Sequence, residues 1–308
     1  MIPFTKAHAC GNDFLIVGEE DVAKLDKAEL TRHLCARNTG IGADGIEFFA
    51  WTGEYSGRIH LLNADGSVAE ISGNGTRCVA AWMAEDRNAQ PGDEFSIETD
   101  AGIRICTIHE FRELEMDGPT VLVTTDMDVP EFEKRTVELA DGTAIDGVYV
   151  SLGNPHFVIV LPESEHRPQR GVFAGDEAYP VDASERSLAG LDFSIGDQSW
   201  EEIGEEICFH LDFPDQTNVE FVHVLGSESE PIHQVAIRIF ERGVGPTTSS
   251  GTGTSAVATA LIGVYDAEHE LEVIASGGAQ SVKWQGPGEK LYLTGPATLV
   301  ARGEAFCK

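Results

Sequence analysis

The chain has 308 residues, 42% of them hydrophobic, and its 33 glycines and 13 prolines follow no repeating period. This length allows two hydrophobic cores of ordinary domain size, and the composition excludes collagen-like and low-complexity classes. The formal net charge of −31 would repel nucleic acid and anionic membrane surfaces, so neither is expected as a partner, and most of the acid is expected on a solvated surface.

The cysteines indicate a reducing environment. Six of them are spread along the chain without a C-x-x-C pair, which predicts free thiols and neither a disulfide framework nor a zinc site. The first residues have no basic stretch followed by an apolar one, and no apolar run is long enough to cross a membrane. We therefore expect a cytoplasmic protein. We expect no metal and no cofactor, since the glycine-rich turns lack the lysine of a phosphate-binding loop.

Short runs of β-branched and aromatic residues predict strands. In chain order they are residues 14–17, 58–62, 120–124, 148–152, 157–161 and 235–240. Two segments, 77–84 and 255–264, consist of small and apolar residues on all sides, which predicts central, buried helices. A polar segment from Pro162 to about Glu206 is interpreted as surface structure with one helix.

Each predicted helix follows a nearly identical turn. The sequences are Ser-Gly-Asn-Gly-Thr at 72–76 and Ser-Gly-Thr-Gly-Thr at 250–254. Two further pairs match in the same order upstream: residues 11–17 with 153–160, and 58–66 with 238–243. The repeats predict duplicated halves, each with several strands around one buried helix, and a shared cleft at the two helix N-termini. We expect the boundary near Gly118.

The two turns suit the binding of a carboxylate. Backbone N–H groups and the positive end of a helix dipole meet at such a turn. Two turns on one α-carboxylate would also stabilise the charge that develops when Cα loses its proton. Ser72 and Ser250 would then lie on opposite faces of that carbon, as a two-base racemisation requires. One turn alone is typical of an ordinary N-cap, but the duplication favours the catalytic interpretation.

Eight segments resemble the diaminopimelate epimerase family, in the family's order and over nearly the whole chain. They are residues 6–14, 40–45, 63–67, 73–78, 153–156, 241–243, 251–253 and 284–288. The resemblance implies an α/β fold of two pseudo-symmetric halves, each a curved sheet or barrel around a central helix. The halves would be 1–118, completed by about 289–308, and 119–288. It also implies a cofactor-independent isomerase that interconverts LL- and meso-diaminopimelate in lysine biosynthesis.

The resemblance also implies the site residues. Ser72 and Ser250 match the two proton-transfer positions. The residues that match the substrate-binding positions are Asn12, Asn63, Asn154, Asn218, Glu241 and Arg242 for the distal amino-acid end, and Gly73, Asn74, Gly251 and Thr252 for the α-carboxylate. Arginine can bind a carboxylate through two hydrogen bonds, and asparagine both donates and accepts, so the set suits a zwitterionic amino acid.

The sequence departs from the family where the chemistry occurs. The family has cysteine at both proton-transfer positions, and this chain has serine. A thiol ionises near pH 8.5 and a hydroxyl far less readily, so serine needs a neighbouring base. The candidates by motif are His156, Asp65 and Glu241. In addition, Pro246 occupies a position that is commonly acidic in the family, and the segment from 154 to 218 is longer than usual.

Three functions remain open at this point. The first is the epimerase, and the second is a dehydratase or isomerase of a related amino acid that uses one base and one acid on the same fold. The third is a catalytically silent protein that binds diaminopimelate. A homodimer is also left open. His156 is interpreted either as a base or as a packed strand-end histidine, and Cys78 is predicted to lie in the core.

Overall fold

The computed structural model describes residues 1–69, 71–112, 118–162, 188, 190–225 and 231–306. It divides into two compact units, Met1–Asp126 with Thr294–Lys308, and Met127–Leu293. The division therefore falls between Asp126 and Met127, eight residues after the Gly118 of the sequence analysis. Within the described ranges, no helix has the length and apolar character needed to span a membrane.

The first unit is built on a closed barrel. Its strands are β1 (Ile2–Ala9), β2 (Asn12–Gly18), β3 (Gly45–Gly53), β4 (Ser56–Asn63), β5 (Val68–Ala69), β6 (Glu94–Thr99), β7 (Gly102–Arg112), β8 (Thr120–Asp126) and most of β17 (Leu291–Ala305). Eight of them pair in the ring β1-β2-β3-β4-β6-β7-β8-β17, and β17 closes the ring by pairing with β1. The pairs β2–β3 and β4–β6 are parallel, and β5 adds a short hairpin to β4.

A central helix fills this barrel. Helix α2 (Gly73–Asp86) contacts β1, β2, β6, β7 and β8. It has small or aliphatic side chains on every face, and these are buried, so strands can approach it closely from several directions. The predicted helix at 77–84 is confirmed as part of α2, and Cys78 is fully buried in the core, as predicted. Outside the barrel lie a short 3-10 helix (Glu20–Val22) and α1 (Lys27–Cys35).

The second unit repeats this plan. Its strands are β9 (Glu131–Glu138), β10 (Ala144–Ser151), β11 (Pro155–Val160), β12 (Asn218–Leu225), β13 (Gln234–Glu241), β14 (Gly245–Thr247), β15 (Glu270–Ala275) and β16 (Gly278–Trp284). They pair in the order β9-β10-β11-β12-β13-β15-β16, with parallel pairs β11–β12 and β13–β15. The buried helix α4 (Gly251–Val264) contacts six of these strands and contains the predicted helix at 255–264. The predicted fold class of two similar α/β halves is therefore confirmed.

All six predicted strands are present, in β2, β4, β8, β10, β11 and β13. The polar segment after Pro162 is described only in part, since residues 163–187 and 189 lie outside the described ranges. Its one expected helix is α3 (Trp200–Cys208), which begins with a capping box between Ser199 and Glu202. Ile203 and Ile207 are fully buried on its inner face, so α3 belongs to the core of the second unit.

The negative charge of the chain lies mainly on its surface. Of the acidic residues that the structure describes, only four are buried: Asp13, Glu47, Asp126 and Glu220. Surface carboxylates repel one another more when the chain is compact, and salt screens this repulsion. We expect the free energy of unfolding to rise by at least about 1 kcal/mol between about 0.1 M and about 2 M KCl. Urea titrations at each salt concentration measure it, and a flat or falling value would contradict this electrostatic account.

Candidate active site

The first glycine-rich turn begins helix α2. Ser72 has an extended backbone, and its Oγ accepts a hydrogen bond of 3.0 Å from the Gly75 N–H. The Ser72 carbonyl accepts from the Thr76 N–H at 2.8 Å and so starts the helix. The first N–H groups of a helix have no partner inside the helix. A turn of this geometry can bind an anion, with the Ser72 side chain at its edge.

The second turn has the same geometry at the start of α4. Ser250 is extended, and its Oγ accepts from the Gly253 N–H at 3.1 Å. The Ser250 carbonyl accepts from the Thr254 N–H at 2.9 Å. Ser250 and Thr252 are buried. The repeated sequence thus produces the same local structure in each unit, because a serine N-cap followed by two small residues favours it in both places.

In the first unit, a series of side chains joined by hydrogen bonds holds the turn at Ser72. Asn12 donates from Nδ2 to Oδ2 of Asp44 at 2.7 Å. Asn74 donates from Nδ2 to Oδ1 of Asn12 at 3.1 Å, and the buried Arg77 donates to Oδ1 of Asn74 at 2.5 Å. Two predicted binding residues, Asn12 and Asn74, are therefore in direct contact. Each amide is oriented by a charged neighbour, which fixes which of its atoms a ligand would meet.

A charged cluster supports Asn12 from the side. Asp13 forms ion pairs with Lys6 at 2.9 Å and with Arg37 at 2.8 Å, and Arg37 also reaches Asp44 at 2.6 Å. Burial opposes the ionisation of Asp13, but hydrogen bonds from Arg37 and Lys6 outweigh it and hold the pKa of this carboxyl below its ordinary value. The cluster stabilises the start of β2, where Asn12 lies.

Asn63 and Asp65 belong to the turn after β4. Nδ2 of Asn63 donates to Oγ of Ser67 at 3.1 Å, and the Ser67 N–H donates to Oδ1 of Asp65 at 2.8 Å. The hydrogen bonds from Ser67 lower the pKa of Asp65. Asp65 is exposed and orders its own turn. Its role as an auxiliary base stays a prediction from the sequence.

In the second unit, five side chains form a continuous chain of hydrogen bonds. Oε1 of Glu220 lies 2.7 Å from Nδ1 of His156, whose Nε2 lies 3.1 Å from Oδ1 of Asn154. Nδ2 of Asn154 donates to Oγ1 of Thr252 at 3.2 Å, and that hydroxyl lies 3.4 Å from Oγ of Ser250. His156 and Glu220 are fully buried. The sequence analysis left His156 open as a base or a packed histidine, and here it is linked to Ser250 through two intervening side chains.

The donor capacity of the Asn154 amide sets the direction of two of these hydrogen bonds. Oδ1 of Asn154 only accepts, so Nε2 of His156 carries a proton, and the Asn154 amide then donates to Thr252. The Thr252 and Ser250 hydroxyls lie within hydrogen-bond distance of each other, and either can donate. Oγ of Ser250 also accepts from the Gly253 N–H. With Thr252 as the donor, both groups would stabilise negative charge on the Ser250 oxygen.

Three of the six residues predicted for the distal end of the substrate, Asn218, Glu241 and Arg242, lie near the end of β13. The Arg242 N–H donates to Oδ1 of Asn218 at 2.8 Å, and Nδ2 of Asn218 donates to the Pro155 carbonyl at 3.1 Å. The Arg242 guanidinium is exposed and donates to the Asp215 carbonyl at 2.8 Å. Glu241, half-buried, precedes it on the strand. The strand end thus presents an accessible guanidinium beside a fixed amide.

Two buried glutamates were missed by the sequence analysis. Glu47 on β3 and Glu220 on β12 hold equivalent positions. Glu47 lies two residues after Gly45, which pairs with Phe14 of β2. Glu220 lies two residues after Asn218, which pairs with His156 of β11. Each carboxyl reaches the second glycine of the nearby turn. A Cβ at Gly75 would overlap Oε1 of Glu47, and one at Gly253 would lie 2.7 Å from Oε1 of Glu220. The feature of the sequence that could have identified these two glutamates is an acidic residue inside an otherwise apolar strand.

Comparison with solved structures defines the class of fold. A probable proline racemase from Agrobacterium radiobacter K84 aligns with a TM-score of 0.64, over 100% of this chain and 94% of that one, at 16% identity. The protein thus has an α/β racemase-type fold with two serine-capped turns.

Comparison of sequences is more specific. The diaminopimelate epimerase family matches residues 4–123 and 191–300. The chain is 33% identical to diaminopimelate epimerase of Xanthomonas axonopodis pv. citri (strain 306), over 98% of this chain and 95% of that one. It is 34% identical to the chloroplastic diaminopimelate epimerase of Oryza sativa subsp. japonica, over 98% of this chain and 79% of that one. The chain belongs to the diaminopimelate epimerase family.

Proposed function

We propose that this protein is an isomerase that interconverts LL- and meso-diaminopimelate for lysine biosynthesis, by moving the Cα proton without a cofactor. The observation that carries the proposal is the pair of serine-capped turns, each at the start of a buried helix, in a chain of this family. Each turn offers backbone N–H groups and a hydroxyl, as an α-carboxylate and its adjacent Cα–H require.

The α-carboxylate is bound by the helix N-termini in this proposal. Gly73 and Asn74 contribute from one turn, and Gly251 and Thr252 from the other. Their N–H groups stabilise the negative charge that spreads into the carboxylate when Cα is deprotonated. The distal amino-acid end is bound by the exposed Arg242 guanidinium together with Asn12, Asn63, Asn154, Asn218 and Glu241. Arginine pairs with the distal carboxylate and the amide oxygens accept from the ammonium group.

Ser72 and Ser250 are the two proton-transfer residues in this proposal. One removes the Cα proton and the other supplies a proton to the opposite face of the carbon, which inverts the configuration. A neutral hydroxyl is a weak base, so each oxygen must be stabilised as it loses its proton. Support for this comes from the N–H groups of Gly75 and Gly253 and, for Ser250, from the Thr252 hydroxyl.

The test is Cα proton exchange. The purified protein is incubated with LL-diaminopimelate in heavy water, and the Cα proton signal and the meso isomer are followed together. We expect the signal to decay as the meso isomer appears, because the proton returned to Cα comes from solvent. Lysine, which lacks the second amino-acid end, should not exchange.

Two controls exclude a contaminating enzyme. The protein is produced in a host without its own diaminopimelate epimerase, and it is also assayed after treatment with iodoacetamide. Its five described cysteines are buried and stand at neither turn, so alkylation should leave the activity intact.

Tight binding of diaminopimelate without exchange would identify a silent binding protein. Release of a 2-oxo or unsaturated product would identify a dehydratase.

We also infer that the protein works in the cytoplasm. The five cysteines that the structure describes are free thiols, which a reducing compartment maintains. Fractionation of the source cells, with detection of the native chain, tests this assignment.

A further inference from the structure

Glu47 is an unusual group to find in the interior of the first barrel. Its side chain is fully buried on β3, between Ile46 and Phe48, which are themselves buried. Neither of its carboxyl oxygens has a hydrogen-bond partner in the part of the chain that the structure describes. A buried polar group without a partner is costly, so its presence calls for a role other than packing.

The carboxyl of Glu47 is directed at the turn that carries Ser72. A Cβ at Gly75 would overlap Oε1 of Glu47 and would lie 3.2 Å from Cβ of Ser72. The acid and the serine therefore approach the same face of Gly75. Because glycine has no side chain, the space between them stays open, and a larger residue there would separate them.

The second unit shows what is special about Glu47. The equivalent carboxyl, Glu220, also lies against a turn glycine, but its Oε1 is bonded to His156. In the first unit Phe14 stands where His156 stands, because Phe14 pairs with Gly45 as His156 pairs with Asn218. Phenylalanine cannot share a proton. Glu47 therefore keeps its carboxyl available for the turn.

We propose that Glu47 is the proton-exchange partner of Ser72, an inference that rests on the proposed function. When the Ser72 hydroxyl gives its proton to the Cα carbanion, the Glu47 carboxylic acid gives its own proton to Oγ and becomes a carboxylate. In the reverse direction Ser72 takes the Cα proton while its hydroxyl proton passes to the Glu47 carboxylate. The exchange requires the Ser72 side chain to rotate away from the Gly75 N–H, to which it is now bonded.

The electrostatic surroundings are compatible with this exchange. Burial, with a smaller contribution from the charge of Asp100, raises the pKa of Glu47 to about 8. The carboxyl therefore gains and loses its proton near neutral pH, where acid–base catalysis is efficient. Cys78 on α2 is also coupled electrostatically to Glu47, and burial raises the pKa of this thiol well above its ordinary value, so the thiol stays neutral.

The experiment compares E47Q in two backgrounds. With Ser72 present, we expect E47Q to slow Cα proton exchange about 100-fold and to remove an inflection from the pH profile of the rate. In the S72C background a thiolate serves as its own base, so we expect E47Q to slow exchange less than about threefold. Glutamine keeps the shape of glutamate, and thermal melting verifies that each variant is folded.

The rates of the E47Q variants in the two backgrounds either support or overturn the proposal. An equal loss in both backgrounds would show that Glu47 acts only through packing and would overturn the proposal, as would an E47Q rate close to that of the wild type. In both cases exchange by the wild-type protein still supports the epimerase function. Absence of exchange in the wild type would instead overturn the epimerase function, and this inference with it.

Discussion

Replacing both Ser72 and Ser250 by cysteine is expected to raise the rate of Cα proton exchange by about 100-fold or more. A thiol ionises several pH units below a hydroxyl, and a helix N-terminus lowers its pKa further. The N–H groups of Gly75 and Gly253, which now bond to the serine oxygens, would stabilise the thiolates. By contrast, S72A or S250A should slow interconversion at least about 100-fold, because one face of Cα then lacks its proton-transfer group.

The matched control for this prediction is S249C. Ser249 is buried next to Ser250, but its Oγ accepts from Nε2 of Gln280 and does not cap α4. A thiol at this position should not accelerate exchange. The pH dependence of iodoacetamide alkylation measures the pKa of each new thiol independently of activity, and values below about 8.5 are expected at 72 and 250. If the double variant binds substrate but is no faster than the wild type, proton transfer at these positions does not limit the rate.

Replacing Glu47 by leucine should make the protein more stable, and increasingly so as the pH rises. The pKa of this buried carboxyl is raised to about 8 from 4.5. Below about 4.5 the group is protonated in both the folded and the unfolded chain, so it does not affect the pH dependence. Between pH 4.5 and about pH 8, the carboxyl loses its proton only in the unfolded chain, so the wild type loses stability as the pH rises. Above about pH 8 this loss of stability is complete.

The expected difference is large. E47L lacks the titrating group, so its free energy of unfolding relative to the wild type should increase between about pH 5 and about pH 8, by on the order of 3 kcal/mol. Urea titrations at both pH values measure it, and the comparison of two variants cancels the titration of the other acidic groups. An unchanged difference between the two pH values would mean that Glu47 is ionised in the folded protein at neutral pH.

Glu110 provides a control of opposite sign. It lies exposed on β7, and a hydrogen bond from Arg112 lowers its pKa. A lowered pKa contributes stability above the unfolded value, which is lost as the pH falls. E110L should therefore lose a little stability relative to the wild type as the pH rises toward about 4.5, and its difference from the wild type should then stay constant between about pH 5 and about pH 8. The effect should be small because water and salt screen an exposed pair.

The predicted strands and helices follow from local patterns. The six strand runs and the two small-residue helices are found where the sequence predicts them, because runs of β-branched and aromatic residues and all-round apolar helices each bury well in only one kind of structure. The serine N-caps follow in the same way, since a serine followed by glycine and a small residue favours the first turn of a helix. The fold class was therefore accessible from the sequence.

The immediate neighbours of the serines were not accessible in this way. Motif spacing suggested His156, Asp65 and Glu241 as bases, but it could not show that Asp65 bonds within its own turn or that two side chains stand between His156 and Ser250. Such contacts join residues that are far apart in the chain. They depend on strand register, which the sequence pattern leaves undetermined for parallel pairs such as β11–β12.

By itself, the sequence determined the duplicated α/β architecture, the two serine-capped turns and the family, since each of these is carried by short motifs and local periodicity. Only the tertiary structure decided which buried groups meet those turns. Parallel pairing of β2 with β3 and of β11 with β12 brings Glu47 and Glu220 against Gly75 and Gly253. A glutamate within an apolar run looks the same whether it faces solvent or a helix N-terminus, and its environment is set by contacts that form only when the barrel closes.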